Sequence, residues 1–135
     1  MKIFPPQKRS CRKGPAAWFT GTVWIDEVIA SSAPSRMKAN RVSFEPGART
    51  AWHTHPMGQA LHVVSGVCLL QLKGEPAQTL QPGDSAWIEA GELHWHGASP
   101  SHTMVHLAIQ EPDEKGVDVV WLEHVSEEEY GSQPS

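Results

Sequence analysis

His53 and His55 stand one residue apart in the stretch HTHPMGQ, and Gln59 follows four residues later. In a β-strand alternate side chains share a face, so the two imidazoles project the same way at a separation suited to chelation. If the strand resumes after a turn over Pro56–Gly58, Gln59 returns under the same pocket with an amide oxygen. A fourth donor must come from elsewhere, and the HWH stretch at 94–96, with His94 and His96 on one strand face, is the best source. Imidazole nitrogens with a neutral oxygen suit a divalent transition metal such as manganese, iron, nickel, copper or zinc, whereas magnesium and calcium want more carboxylates. The plain alternative is that an isolated H-x-H arises by chance and serves only the core or surface.

Other residues fall around this cluster by the same alternation. Met104, His106, Ala108 and Gln110 share one face of a strand, and Val105, Leu107 and Ile109 share the other. An imidazole at 106 has an ordinary pKa of about 6.5 and could exchange protons at neutral pH, or be a core histidine satisfied by a backbone carbonyl. Val42 and Phe44, alternating with Ser43, could form with Gln110 a largely apolar cavity for an aryl or alkyl substrate. His96 is expected to line that pocket or orient a neighbour. His62 and His102 are expected outside it, Trp52 and Trp95 to point away from the histidines and pack, and Glu127–Glu129 to form a solvated face.

The elements that must position these residues are short apolar runs punctuated by turns: EPGA at 45–48, VSGV at 64–67, QPGD at 81–84 and EAGE at 89–92. Such glycines supply the positive φ of tight connections between strands. No stretch between Asn40 and Gln110 carries a helical period, so the expectation is an all-β barrel or sandwich, with any helix confined to IDEVIASS or the acidic tail.

At 135 residues the chain is one domain, read as a tail over 1–15, a barrel over 16–125 and a second tail over 126–135. The net charge of −4 offers no field for a phosphate backbone, so nucleic acid is excluded as a partner. Cys11 and Cys68 are too few for a disulfide framework and fit a reducing compartment. There is no secretory h-region and no membrane-spanning run, which together predict a soluble cytoplasmic protein with no membrane partner. The FTGTVWI run looks able to pair across another subunit's sheet, predicting a homodimer or homotetramer.

The pattern resembles the cupin superfamily. Its first motif, a glycine, an H-x-H pair, a glutamate and a second glycine, is matched in spacing by Gly47, His53, His55, Gln59 and Gly66. Its second is matched by Gly83, Gly91 and His94, with Glu89 in place of a proline and Ala98 in place of an asparagine. The resemblance implies a double-stranded β-helix, or jelly-roll barrel, with the metal inside. Gln59 in place of the usual glutamate leaves a bound ion less neutralised and more Lewis acidic. From about Gly14 to His124 the chain is more narrowly similar to the bacterial cupin hydroxynitrile lyases. That likeness implies manganese held by His53, His55, Gln59 and His94, with iron, zinc or nickel as alternatives, and His106 as the proton-transfer group. The implied reaction is cleavage or formation of a small cyanohydrin. The same shell would also serve a dioxygenase, an isomerase, a decarboxylase-associated protein or a non-catalytic effector-binding cupin.

Overall fold

A computed structural model describes residues 1–131. In chain order the strands are β1 (Cys11–Lys13), β2 (Phe19–Thr20), β3 (Val23–Ala30), β4 (Lys38–Phe44), β5 (Arg49–Thr50), β6 (His53–Thr54) and β7 (Gln59–Gly66). They continue as β8 (Cys68–Leu72), β9 (Gln78–Leu80), β10 (Ser85–Ile88), β11 (His94–Ala98), β12 (Met104–Gln110) and β13 (Val120–Trp121), and a short helix α1 (Glu127–Gly131) follows. One sheet runs β1-β3-β4-β12-β7-β10; the other runs β13-β6-β11-β5-β2, with β8 on the far edge of β11 and β9 beyond it. All pairings are antiparallel. The expected all-β jelly-roll barrel is the fold the chain adopts.

Alternation explains which residues face inward. In β12, Met104, His106 and Ala108 are buried while Val105 and Leu107 are partly exposed. Strand β11 is buried at every position because it is covered on both sides. The histidine cluster lies to one side of it, and Trp52, Leu69, Trp95, Val125 and Tyr130 pack as a separate core on the other. Trp52 and Trp95 therefore point away from the histidines. Between the sheets, Phe19, Val23, Phe44, Leu61, Val63, Ile88 and Met104 form the main core.

Within the N-terminal tail, Cys11–Lys13 pairs with Trp24–Asp26 as an edge strand. IDEVIASS forms most of β3 rather than helix. The FTGTVWI run pairs within its own chain, β2 against β5 and β3 between β1 and β4.

The acidic run is exposed at Glu127 and Glu128, as expected, and is nonetheless tied to the barrel. Ser126 and Glu129 form a reciprocal capping box, with the Glu129 amide donating to Ser126 Oγ at 3.0 Å and the Ser126 amide donating to Glu129 Oε1 at 2.9 Å. Glu127 pairs with Arg49 at 3.0 Å and Glu129 with Lys73 at 3.2 Å. The helix thereby seats Tyr130, whose hydroxyl donates to the Ala98 carbonyl at 2.6 Å while the Arg49 guanidinium lies 4.4 Å over its ring. The S-x-x-E spacing was the available signal. Residues 132–135 of the tail lie outside the described residues.

Candidate metal centre and cavity

His53 and His94 are direct cross-strand partners between β6 and β11, which sets their rings 4.2 Å apart, centre to centre. His55 follows on the same face, 5.0 Å from His53 and 5.5 Å from His94. A turn closed by the Gly58 amide on the His55 carbonyl, at 3.3 Å, then begins β7 with Gln59. Gly58 is required there: its φ is +78°, and a Cβ would lie 2.6 Å from the Trp87 indole.

Each of these three imidazoles is oriented by a backbone carbonyl. His53 Nδ1 meets Ala51 O at 2.8 Å, His55 Nδ1 meets Asp118 O at 2.6 Å, and His94 Nδ1 meets Glu92 O at 2.8 Å. A carbonyl can only accept, so each Nδ1 carries the hydrogen and each Nε2 presents a lone pair to the cluster. The His55 Nε2 is buried with no hydrogen-bond partner, and the His94 Nε2 faces Gln59 Oε1 at 3.3 Å. Two acceptors facing each other repel unless a cation lies between them. The donor set therefore fits a divalent metal.

Burial keeps the cluster neutral. His53 is held well below the ordinary imidazole value, first by desolvation and then by His94 and His55. Desolvation lowers His94 to about 4 against the opposing pull of the Glu92 carbonyl. His55 is lowered by burial, partly offset by Asp118. Neutral imidazoles are the form a metal needs.

A different triad of ring nitrogens is also close-set: His53, His94 and His96 place ligand atoms within 4.8 Å of one another, all buried and able to hold a metal ion. His96 differs from the other three in its support. Its Nδ1 meets Nε2 of His106 at 3.0 Å rather than a carbonyl, so its tautomer is not fixed toward the cluster. His106 is displaced from the expected value near neutrality, since burial brings it down to about 4.

A cavity of about 400 Å³ opens beside the cluster. Val42, Phe44, Ala108 and the Trp18, Phe19 and Trp121 rings make it largely apolar and aromatic, and His96, His106 and Gln110 also line it. Trp18 and Trp121 stack in parallel, with ring centres 5.4 Å apart and 8° between planes. His62 lies off this wall, bonded to Ser85, and His102 is exposed beside Ser99 and Ser101.

Sequence reasoning missed Arg12, Lys38, Asn40, Thr50 and Asp118 on this wall. Alternation from Val42 would have found Lys38 and Asn40, whereas nothing local marks Asp118. Its carboxylate meets Lys38 Nζ at 2.7 Å and accepts from Gln110 Nε2 at 2.9 Å. Burial pushes that carboxyl up, but Lys38 and Gln110 outweigh it and hold the group below its usual value.

The fold and site together define a small β-barrel with a buried histidine cluster at the head of an apolar cavity. The chain belongs to the cupin family: residues 40–109 match the family described as Cupin domain. It is 53% identical over 131 residues, 96% of this chain and 98% of the relative, to the (R)-mandelonitrile lyase of Granulicella tundricola. Among solved structures it is similar to a cupin-like protein from Thermotoga maritima, at 40% identity and a TM-score of 0.82 over 87% of this chain and 89% of that one. A polyketide cyclase from Streptomyces resistomycificus shares the fold at 20% identity, with a TM-score of 0.74 over 96% and 90% of the two chains.

Proposed function

We propose that the chain is a hydroxynitrile lyase that binds a divalent transition metal, manganese first, through His53, His55, Gln59 and His94, and cleaves or forms small cyanohydrins. The observation that carries this reading is the pair of facing acceptors, His94 Nε2 and Gln59 Oε1, beside the unpartnered His55 Nε2. The near full-length identity to a mandelonitrile lyase supports the reaction. The aromatic wall supports an aryl substrate.

A bound metal would supply Lewis acidity toward the substrate's hydroxyl or nitrile. The chain's own residues do the rest. Trp18, Phe19, Phe44 and Val42 desolvate and orient the apolar part of the substrate. His106, neutral at working pH, accepts the hydroxyl proton and shares it across its contact with His96. The oxygen's electrons form the aldehyde carbonyl, the C–C pair leaves with cyanide, and the imidazolium returns the proton to give hydrogen cyanide. His96 and Gln110 serve as cavity wall.

No described helix is long and apolar enough to cross a membrane. A cytoplasmic site is supported by the two free cysteines, and a homo-oligomer by exposed Trp24 and Trp87. The deciding assay is mandelonitrile cleavage by manganese-loaded protein with oxygen excluded. The expected result is turnover at the aerobic rate; no turnover, or turnover only with oxygen, would overturn the lyase reading.

A further inference from the structure

A glutamine ligand poses a problem that a glutamate does not. The two ends of its amide are nearly the same shape, but only the oxygen can face a cation; the NH₂ group would repel it. Something must choose the end.

Strand register places Lys38, Gln110 and Gln59 side by side on β4, β12 and β7. Gln59 Nε2 donates to Gln110 Oε1 at 2.7 Å, Gln110 Nε2 donates to Asp118 Oδ2 at 2.9 Å, and Lys38 Nζ meets the same carboxylate oxygen at 2.7 Å. The chain can be read from its far end. A carboxylate paired with an ammonium only accepts, so Gln110 must turn its NH₂ toward Asp118 and its oxygen toward Gln59. Gln59 must then give its NH₂ to Gln110, which leaves its oxygen facing His94 Nε2.

We infer that Asp118 is a positioning residue for the metal centre: through Gln110 it sets which end of the Gln59 amide meets the ion, and through its backbone carbonyl it also holds His55. The inference rests on Gln59 and His55 being ligands.

Asp118→Asn tests it, because asparagine keeps the shape and the backbone carbonyl on His55 but can donate as well as accept. Chelator-stripped protein is titrated with Mn²⁺, the free ion being counted by electron paramagnetic resonance. Asp118→Asn should weaken binding by about 10-fold or more, as is usual for loss of an outer partner of a ligand. In a Gln59→Glu background both ends of residue 59 accept, so Gln110 must reverse and present its oxygen to residue 118. There Asp118→Asn should leave Mn²⁺ affinity unchanged or tighter, since asparagine can donate to that oxygen.

An equal loss in both backgrounds would show a general charge or packing effect and overturn the inference. So would an unchanged affinity for Asp118→Asn while Gln59→Ala loses Mn²⁺. Unchanged affinity in Gln59→Ala would instead overturn the ligand assignment beneath it.

Discussion

Nε2 of His106 lies 3.0 Å from Nδ1 of His96, and both rings are buried, so one nitrogen of this contact carries a hydrogen and the other a lone pair. The pair joins β12 to β11 on the wall of the cavity that His53 and His55 also line. His106→Ala should keep bound metal, because the proposed ligand set does not include it, yet lower cyanohydrin cleavage by about 10²-fold, the scale of a lost general base. The wild-type rate should fall on the acid side only near pH 4, where His106 gains its proton, and that limb should be absent from the variant. Near-full rate in His106→Ala, with the limb retained, would move the base elsewhere.

His53→Ala and His94→Ala should each lose metal and activity together. The Nδ1 of each ring is tied to a carbonyl, so its Nε2 points at the cluster, and the nearby imidazole outside the proposed set, His96, is engaged instead with His106. Metal analysis after purification without chelator is the check, and full occupancy in either variant would refute its assignment as a ligand.

Metal-free protein should lose stability as pH falls from about 6.5 to 4. Unfolded histidine binds its proton at about 6.5, whereas folded His94 and His106 do so only near 4. Between these values the unfolded state holds more protons, so the contribution is complete above the upper limit and declines through the window. Each group contributes on the order of 3 kcal/mol. Urea midpoints measured across this range should fall with acid, and a flat or rising trend would contradict the burial argument.

Tyr130→Ala should destabilise the protein by about 3 kcal/mol, the scale of deleting a buried aromatic side chain. Tyr130→Phe should cost about 1 kcal/mol by leaving the Ala98 carbonyl without its donor. Denaturant unfolding separates the two, and an effect below about 0.5 kcal/mol for the alanine variant would mean that the tail does not belong to the core.

What was legible in the sequence was local. His53 and His55 share a face because strands alternate, the Gly58 turn returns the chain at Gln59, and the X-Gly pairs mark where strands end. What was not legible depends on register and distance. Lys38, Gln110 and Gln59 are neighbours only because β12 lies between β4 and β7 in one alignment, and Asp118 arrives on a connecting segment with no pattern of its own. Arg49 and Glu127 meet across 78 positions, so an exposed acidic run carries no local sign of its basic partner. The low pKa of His106 is hidden in the sequence for a related reason, because the desolvation comes from elements distant in sequence.

The parallel indoles of Trp18 and Trp121 make the cavity optically self-reporting. Stacked at 5.4 Å on the cavity wall, the pair sits in surroundings unlike those of the buried Trp52 and Trp95, so its fluorescence should be distinct from theirs. Both rings line the cavity wall, and Trp121 also lies 4.7 Å from the His53 ring. A molecule entering beside them, or an ion settling among the histidines, perturbs a chromophore already in place, so occupancy can be followed spectroscopically without a label and without turnover.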